Sequence, residues 1–136
     1  MALTLDLPAG LTGTAELVVG DHHTAPRVGS GRIRVLATPV MINLIEAAAL
    51  AAIEQSLPEK HQSLGTRLDV THVAATPVGM RVRATAEVVR VEGRTVHFRV
   101  RAEDERDLIG EGTHERVVVN VDRFEARVAE KARAGR

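Results

Sequence analysis

Three residues in this chain have chemical types at odds with their predicted surroundings. Glu46 lies on the flank of an apolar arc made by Met41, Leu44, Ile45, Ala48, Ala49 and Ala52. A carboxylate there either reaches solvent or is buried with a partner, because an unpaired buried charge is too costly. His72 alternates with Leu68, Val70 and Ala74 and so falls on the dry side of a predicted strand. It reads either as a hydrogen-bonded core histidine or as a general base, since imidazole needs little pKa adjustment to work near neutrality. Thr38 stands before Pro39 at the start of the apolar arc. Its hydroxyl suits a helix N-cap. If it faces a pocket instead, a base can activate it, and the helix dipole favours the negative charge that develops. Arg116 shares a predicted strand face with His114 and Leu108, where the plain reading is a solvated arginine.

Other combinations point to no chemistry. His22, His23, His61, His97 and His114 show no metal-ligand spacing with Asp or Glu, so no metal site is expected. Gly10, Gly13 and Gly20 lack the strand-to-helix context of a dinucleotide fingerprint. Cysteine is absent, which removes disulfides, thiolate ligands and a thiol nucleophile.

The elements that must carry these residues are legible from periodicity. Thr14–Val19 reads as a strand ended by a turn at Gly20-Asp21, and His22 to Gly31 as a loop or lid. From Pro39 to about Ile53 the apolar residues recur at helical spacing, with Thr38 as the expected cap. Alternation of period two follows. It runs through Leu64–Thr76, then Met80, Val82, Ala84, Ala86 and Val88, then Val96, Phe98, Val100 and Ala102. Glu92-Gly93 marks a tight hairpin, and Leu108 to about Val121 a last strand. Gly110-Glu111-Gly112 indicates a bulge or a close backbone approach within it. The tail from Asp122 reads as a short helix. A strand, a long apolar helix and four antiparallel strands with one wet face each make an α+β layer. An antiparallel sheet wrapped around one long central helix is the hotdog arrangement, which commonly dimerises.

Length and composition narrow the classes further. The 136 residues amount to one domain, and 44% hydrophobic with 26% charged residues is a globular composition. Basic and acidic residues number 18 each, so no global field recruits nucleic acid or an anionic membrane. The aromatics are Phe98 and Phe124 alone, which disfavours base stacking on aromatic platforms. With no apolar run of about 18 residues and no charged leader before an apolar stretch, the expectation is a cytoplasmic protein without a membrane span.

Several segments together resemble the bacterial fluoroacetyl-CoA thioesterase family. They are Ser63-Leu64-Gly65-Thr66, Val70-Thr71-His72, Ala74-Ala75-Thr76-Pro77 and Gly110-Glu111-Gly112-Thr113-His114-Glu115-Arg116. Val91-Glu92-Gly93-Arg94 and Phe124-Glu125-Ala126-Arg127-Val128 keep the same register. The similarity runs from about Val35 to Lys131, whereas 1–34, the first strand and lid region of a single 1–136 domain, matches poorly. The resemblance implies a homodimeric hotdog enzyme that hydrolyses the thioester of an acyl-CoA substrate and needs no cofactor. It implies a triad of Thr38, as nucleophile or substrate-orienting hydroxyl, Glu46 as its carboxylate partner, and His72 as base. It further implies substrate contacts from the Gly65 amide and from Arg116.

The sequence also departs from that family. Pro39 follows the catalytic threonine where the family has glycine, and the lid stretch Gly29-Ser30-Gly31-Arg32-Ile33-Arg34 lacks the family's phenylalanines. The expected activity is therefore hydrolysis of a small acyl-CoA without selectivity for fluoroacetyl. Two other readings compete with it. One is a non-catalytic module that binds acyl-CoA or another ligand. The other, an enoyl-CoA hydratase, is disfavoured because Asp69 and His72, three apart, face opposite sides of a strand.

Overall fold

An apolar helical arc needs a surface to bury against, and the dry faces of the alternating strands supply it. The computed structural model describes residues 5–135. Strand β1 (Thr12–Val18) is followed by a 3₁₀ turn (Asp21–His23), a short helix α1 (Ala25–Val28) and the long helix α2 (Thr38–Ile53). Strands β2 (His61–Val70), β3 (Arg81–Glu92), β4 (Thr95–Asp104) and β5 (Leu108–Asn120) come next, and helix α3 (Val121–Ala134) closes the chain. The five strands form one antiparallel sheet in the order β1-β3-β4-β5-β2. Strand β2 thus crosses to the far edge, beside β5, and leaves β3 to pair with β1. The sheet curls around α2 in a hotdog fold.

Helix α2 buries Met41, Leu44, Ile45, Ala48, Ala49, Ala52 and Ile53, the predicted face extended by one residue. Against it lie Val82, Ala84, Ala86 and Val88 of β3 and Val96, Phe98, Val100 and Ala102 of β4, all buried as their alternation requires. The alanines let the backbone of β1 come very close. A Cβ on Gly13 would collide with the Ala48 carbonyl and the Ala52 amide. The approach expected at Gly110-Glu111-Gly112 is also present: Cβ atoms there would strike the Thr71 and Asp69 carbonyls. Gly93 and Arg94 form the two-residue turn between β3 and β4, with Gly93 at φ +61°.

The boundaries differ from expectation in four places, each for a local reason. Helix α2 begins at Thr38, and Ala37 is its N-cap. Pro39 is tolerated there because the amides of the first turn have no helical partner in any case. Strand β2 ends at Val70 and carries a bulge between Gly65 and Arg67, so His72 lies beyond the regular strand. The chain nevertheless continues beside β5, with the Thr71 and Val73 amides donating to the Glu111 and Ile109 carbonyls at 2.9 and 2.7 Å. That pairing preserves the inward alternation of His72. The lid region contains α1, which ends at Gly29 in the left-handed conformation (φ +95°). Finally, α3 has 14 residues, capped by Asn120 Oδ1 accepting from the Arg123 amide at 3.1 Å. Among the described residues no helix is long and apolar enough to cross a membrane.

Candidate active site

The start of α2 and the segment after β2 bring Thr38 and His72 together. Thr38 Oγ1 lies 2.6 Å from His72 Nδ1. The hydroxyl makes no capping bond to its own helix and faces His72 instead. Two hydrogen bonds tie the neighbouring chain down. The Leu36 amide donates to the Thr76 carbonyl at 2.9 Å, and the buried Thr76 hydroxyl donates to Asp104 at 2.8 Å. His72 is half-buried, and its Nε2 is fully enclosed with no hydrogen-bond partner. The pair opens onto a cavity of about 310 Å³ lined by Ala25, Ser30, Val35, Leu36, Val73 and Ala74. The lid over it is pinned by Asp21, which accepts from Arg27 at 2.9 Å and Arg34 at 3.3 Å.

A second cluster forms two turns farther along α2. Glu46 Oε2 meets Arg116 Nη1 at 3.3 Å, with the carboxylate side chain 36% exposed and the guanidinium side chain 8%. Arg116 is buried, which corrects the reading of it as a solvated strand arginine. Its Nε donates to Ser63 Oγ at 2.8 Å and its Nη2 to the Ser63 carbonyl at 3.1 Å. Its Nη1 also lies 3.2 Å from Nε2 of the fully buried His114. Gly65 closes the cluster: a Cβ there would run into Glu46 Oε2 and approach His114 Cε1 at 3.2 Å. Ser63 and His114 were missed from sequence. The available signal was the His114-Glu115-Arg116 alternation, which places two polar side chains on the dry face of β5.

One chain therefore holds the five sequence-predicted residues as two groups, Thr38 with His72, and Glu46 with Gly65 and Arg116. The eight residues from Thr38 to Glu46 correspond to about 12 Å along the helix axis. Within a chain, the carboxylate is thus out of hydrogen-bond reach of the alcohol. The first group pairs a hydroxyl with a proton acceptor at the positive end of a helix. The second supplies a carboxylate held by a buried cation, beside a backbone stretch without a side chain.

Burial pushes the His72 imidazole below its ordinary pKa, with the Ala74 backbone offsetting part of the effect. His72 is accordingly neutral, and free to accept a proton, at neutral pH. Burial likewise lowers His114, where the Arg67 carbonyl opposes the shift, and His23. The unfolded chain then binds more protons than the folded one as pH falls below about 6.5. Stability is fully present above that value and is lost progressively toward the depressed folded values. Thermal melts between pH 8 and pH 5 are expected to show a Tm that starts to fall near pH 6.5. A Tm that rose over that interval would contradict the burial assignments.

Comparison with known proteins gives a consistent result. The fluoroacetyl-CoA-specific thioesterase family model (FlK) matches residues 19–122. A fluoroacetyl-CoA thioesterase of Streptantibioticus cattleyicolor is 48% identical over 101 residues, which is 74% of this chain and 73% of that protein. A solved structure of the fluoroacetyl-CoA thioesterase FlK superposes with TM-score 0.86 at 40% identity, covering 91% of this chain and 96% of the other. A Thermus thermophilus hypothetical protein, a thioesterase superfamily member, gives TM-score 0.82 at 32% identity over 94% and 97%.

Proposed function

The chain belongs to the fluoroacetyl-CoA-specific thioesterase family and is an acyl-CoA thioester hydrolase; from that premise we propose that it cleaves small acyl-CoAs with Thr38, Glu46 and His72 as its machinery. The observation that carries the assignment is the 2.6 Å contact between the Thr38 hydroxyl and His72 Nδ1 in the wall of the cavity. His72 takes the proton of Thr38, or of a water that Thr38 orients, as the oxygen attacks the thioester carbonyl. Negative charge grows on the carbonyl oxygen, where backbone amides, Gly65 among them, and the positive end of α2 favour it. The carbon–sulfur bond then breaks and coenzyme A leaves as a thiolate that takes up the proton held by His72. Where Thr38 is the attacking oxygen, a water deprotonated by the same imidazole next hydrolyses the acyl ester and frees the acid. No cofactor is called for, because a thiolate is a good leaving group without metal assistance.

The distance between the two groups is best met by a homodimer. A two-fold axis relating antiparallel copies of α2 would set Glu46 of one rod level with Thr38 of the other. Two surface features favour such an assembly. Among the described residues, strand β2 has a neighbour on one side only. Beside it, α3 leaves a groove of about 550 Å³ whose lining includes Leu64, Val119, Phe124 and Val128. Helix α3 itself has no buried residue, though one of its faces is apolar.

The lid supports a broad acyl range rather than fluoroacetyl selectivity. Residues 29–34 carry no aromatic ring, and Ile33 is 74% exposed instead of lying over the cavity. Release of free thiol from acetyl-, fluoroacetyl-, branched and aromatic acyl-CoAs tests the reading. Turnover is expected, with kcat/KM for fluoroacetyl-CoA and acetyl-CoA within about 10-fold, the span that one small contact supplies. Thermal stabilisation by acyl-CoA without any thiol release would instead identify a binding module.

Gly65→Ala offers a local check. The closest atom its methyl meets is the end of the flexible Glu46 side chain, which is displaced, while the His114 ring at 3.2 Å needs to give by only a few tenths of an ångström. The expected outcome is a kcat lowered by about 10-fold or more with Tm nearly unchanged. A large fall in Tm with normal turnover would show that the glycine serves packing.

A further inference from the structure

We propose that His114 is a positioning residue, which orients the Arg116 guanidinium and through it the Glu46 carboxylate. The inference rests on the thioesterase reading for its catalytic consequence, and on hydrogen-bond direction for its geometry. His114 is fully buried on β5, opposite Leu68 of β2 and Phe98 of β4. Its Nδ1 is 2.7 Å from the Arg67 carbonyl, which can only accept, so Nδ1 carries the proton. Its Nε2 faces Arg116 Nη1 at 3.2 Å, and a guanidinium can only donate, so Nε2 offers its lone pair. The two neighbours thus fix one neutral tautomer without ambiguity. The chain of donors runs from Arg116 into His114 and from His114 into the main chain of β2.

That direction has a purpose in the site. Arg116 is held at three corners: Ser63 takes Nε and Nη2, His114 takes one side of Nη1, and Glu46 takes the other. Ser63 fixes the plane of the guanidinium, and His114 determines how far Nη1 leans toward Glu46. The charged and titratable groups near the imidazole are Arg116, Glu46 and Glu115, with Arg67, Arg90 and His97 around the adjoining cleft. A protonated His114 would turn an N–H against the guanidinium and place two cations in contact. The ring is held flat by Phe98, whose centroid lies 5.8 Å away at an interplanar angle of 26°. The bulge between Gly65 and Arg67 brings both main-chain participants into this corner, the glycine beside Glu46 and the Arg67 carbonyl beside His114.

Three substitutions separate positioning from packing. In His114→Gln the side-chain oxygen falls near the position of Nε2 and still accepts from Arg116. In His114→Asn the amide nitrogen falls near Nδ1, keeping the bond to Arg67 but losing Arg116. In His114→Phe both are lost while ring packing remains. Asn and Phe are expected to lower kcat by about 10- to 100-fold with KM nearly unchanged, and Gln to keep most of the turnover. Activity that followed Tm across the three variants, or that was equal in Gln and Asn, would overturn the proposal. Side-chain ¹⁵N NMR reads the same contact independently of turnover, so it also decides the case if the wild-type chain releases no thiol. The expected spectrum shows His114 as the neutral Nδ1–H tautomer and restricted rotation of the Arg116 guanidinium, lost in Asn and kept in Gln. A freely rotating Arg116 in the wild type would also overturn it.

Discussion

His72→Ala and Thr38→Ala are each expected to lower kcat by about 100-fold or more on every acyl-CoA that the wild type hydrolyses. The first removes the imidazole 2.6 Å from the Thr38 hydroxyl, and the second removes that hydroxyl. Because the two atoms act as a unit, the double variant should be scarcely worse than either single one. Stability separates this from a structural role for Thr38. A threonine that caps a helix is worth about 1 kcal/mol. Here Ala37 occupies the cap position and the Thr38 hydroxyl bonds to no amide of α2, so Thr38→Ala should cost less than that. Steady-state thiol release together with thermal melts settles both points. Near-wild-type turnover by His72→Ala would end the assignment.

Glu46→Gln should cost a comparable factor, about 100-fold in kcat, while keeping the side chain's shape. The buried Arg116 retains Ser63 as a partner, so the fold should survive the loss of charge. The composite arrangement makes a sharper demand. If the alcohol and imidazole come from one chain and the carboxylate from the other, Thr38→Ala and Glu46→Gln damage opposite contributors. A mixed dimer of the two variants then carries one doubly damaged site and one intact site. Co-refolding equal amounts should restore about a quarter of wild-type activity, half of the dimers being mixed with one working site in two. No recovery above the parent variants would place the whole reaction centre within a single chain.

Much of this architecture is legible in the sequence, because it rests on local periodicity. The arc from Met41 to Ala52 and the alternation along β3 and β4 identified their buried residues directly. The glycines of β5 announced a close approach that is present. What was not legible depends on pairing at long range. No local pattern tells β2 to lie beside β5, or places a bulge after Gly65. The burial of Arg116 was missed because an arginine in a strand is ordinarily solvated, and only its neighbours Ser63, Glu46 and His114 make the interior tolerable for it. The N-cap reading of Thr38 failed for a related reason, since the competing partner, His72, is 34 residues away. Glu46 and His72 stood out by their misfit with their surroundings, and chemistry tends to be placed at such misfits, whereas Gly65 was indicated only by the family resemblance.

The contact of Gly13 with Ala48 and Ala52 has a consequence for the two flanks of the central rod. Strand β1 forms one border of the sheet and β2 the other. Along the β1 border the main chains meet with nothing between them, a seam too tight to admit even a methyl group. Along the β2 border the rod bears Glu46 beside Gly65, and that carboxylate still reaches water. The rod is thus sealed against the sheet at Gly13 on one flank, while on the other the carboxylate of Glu46 stays open to solvent.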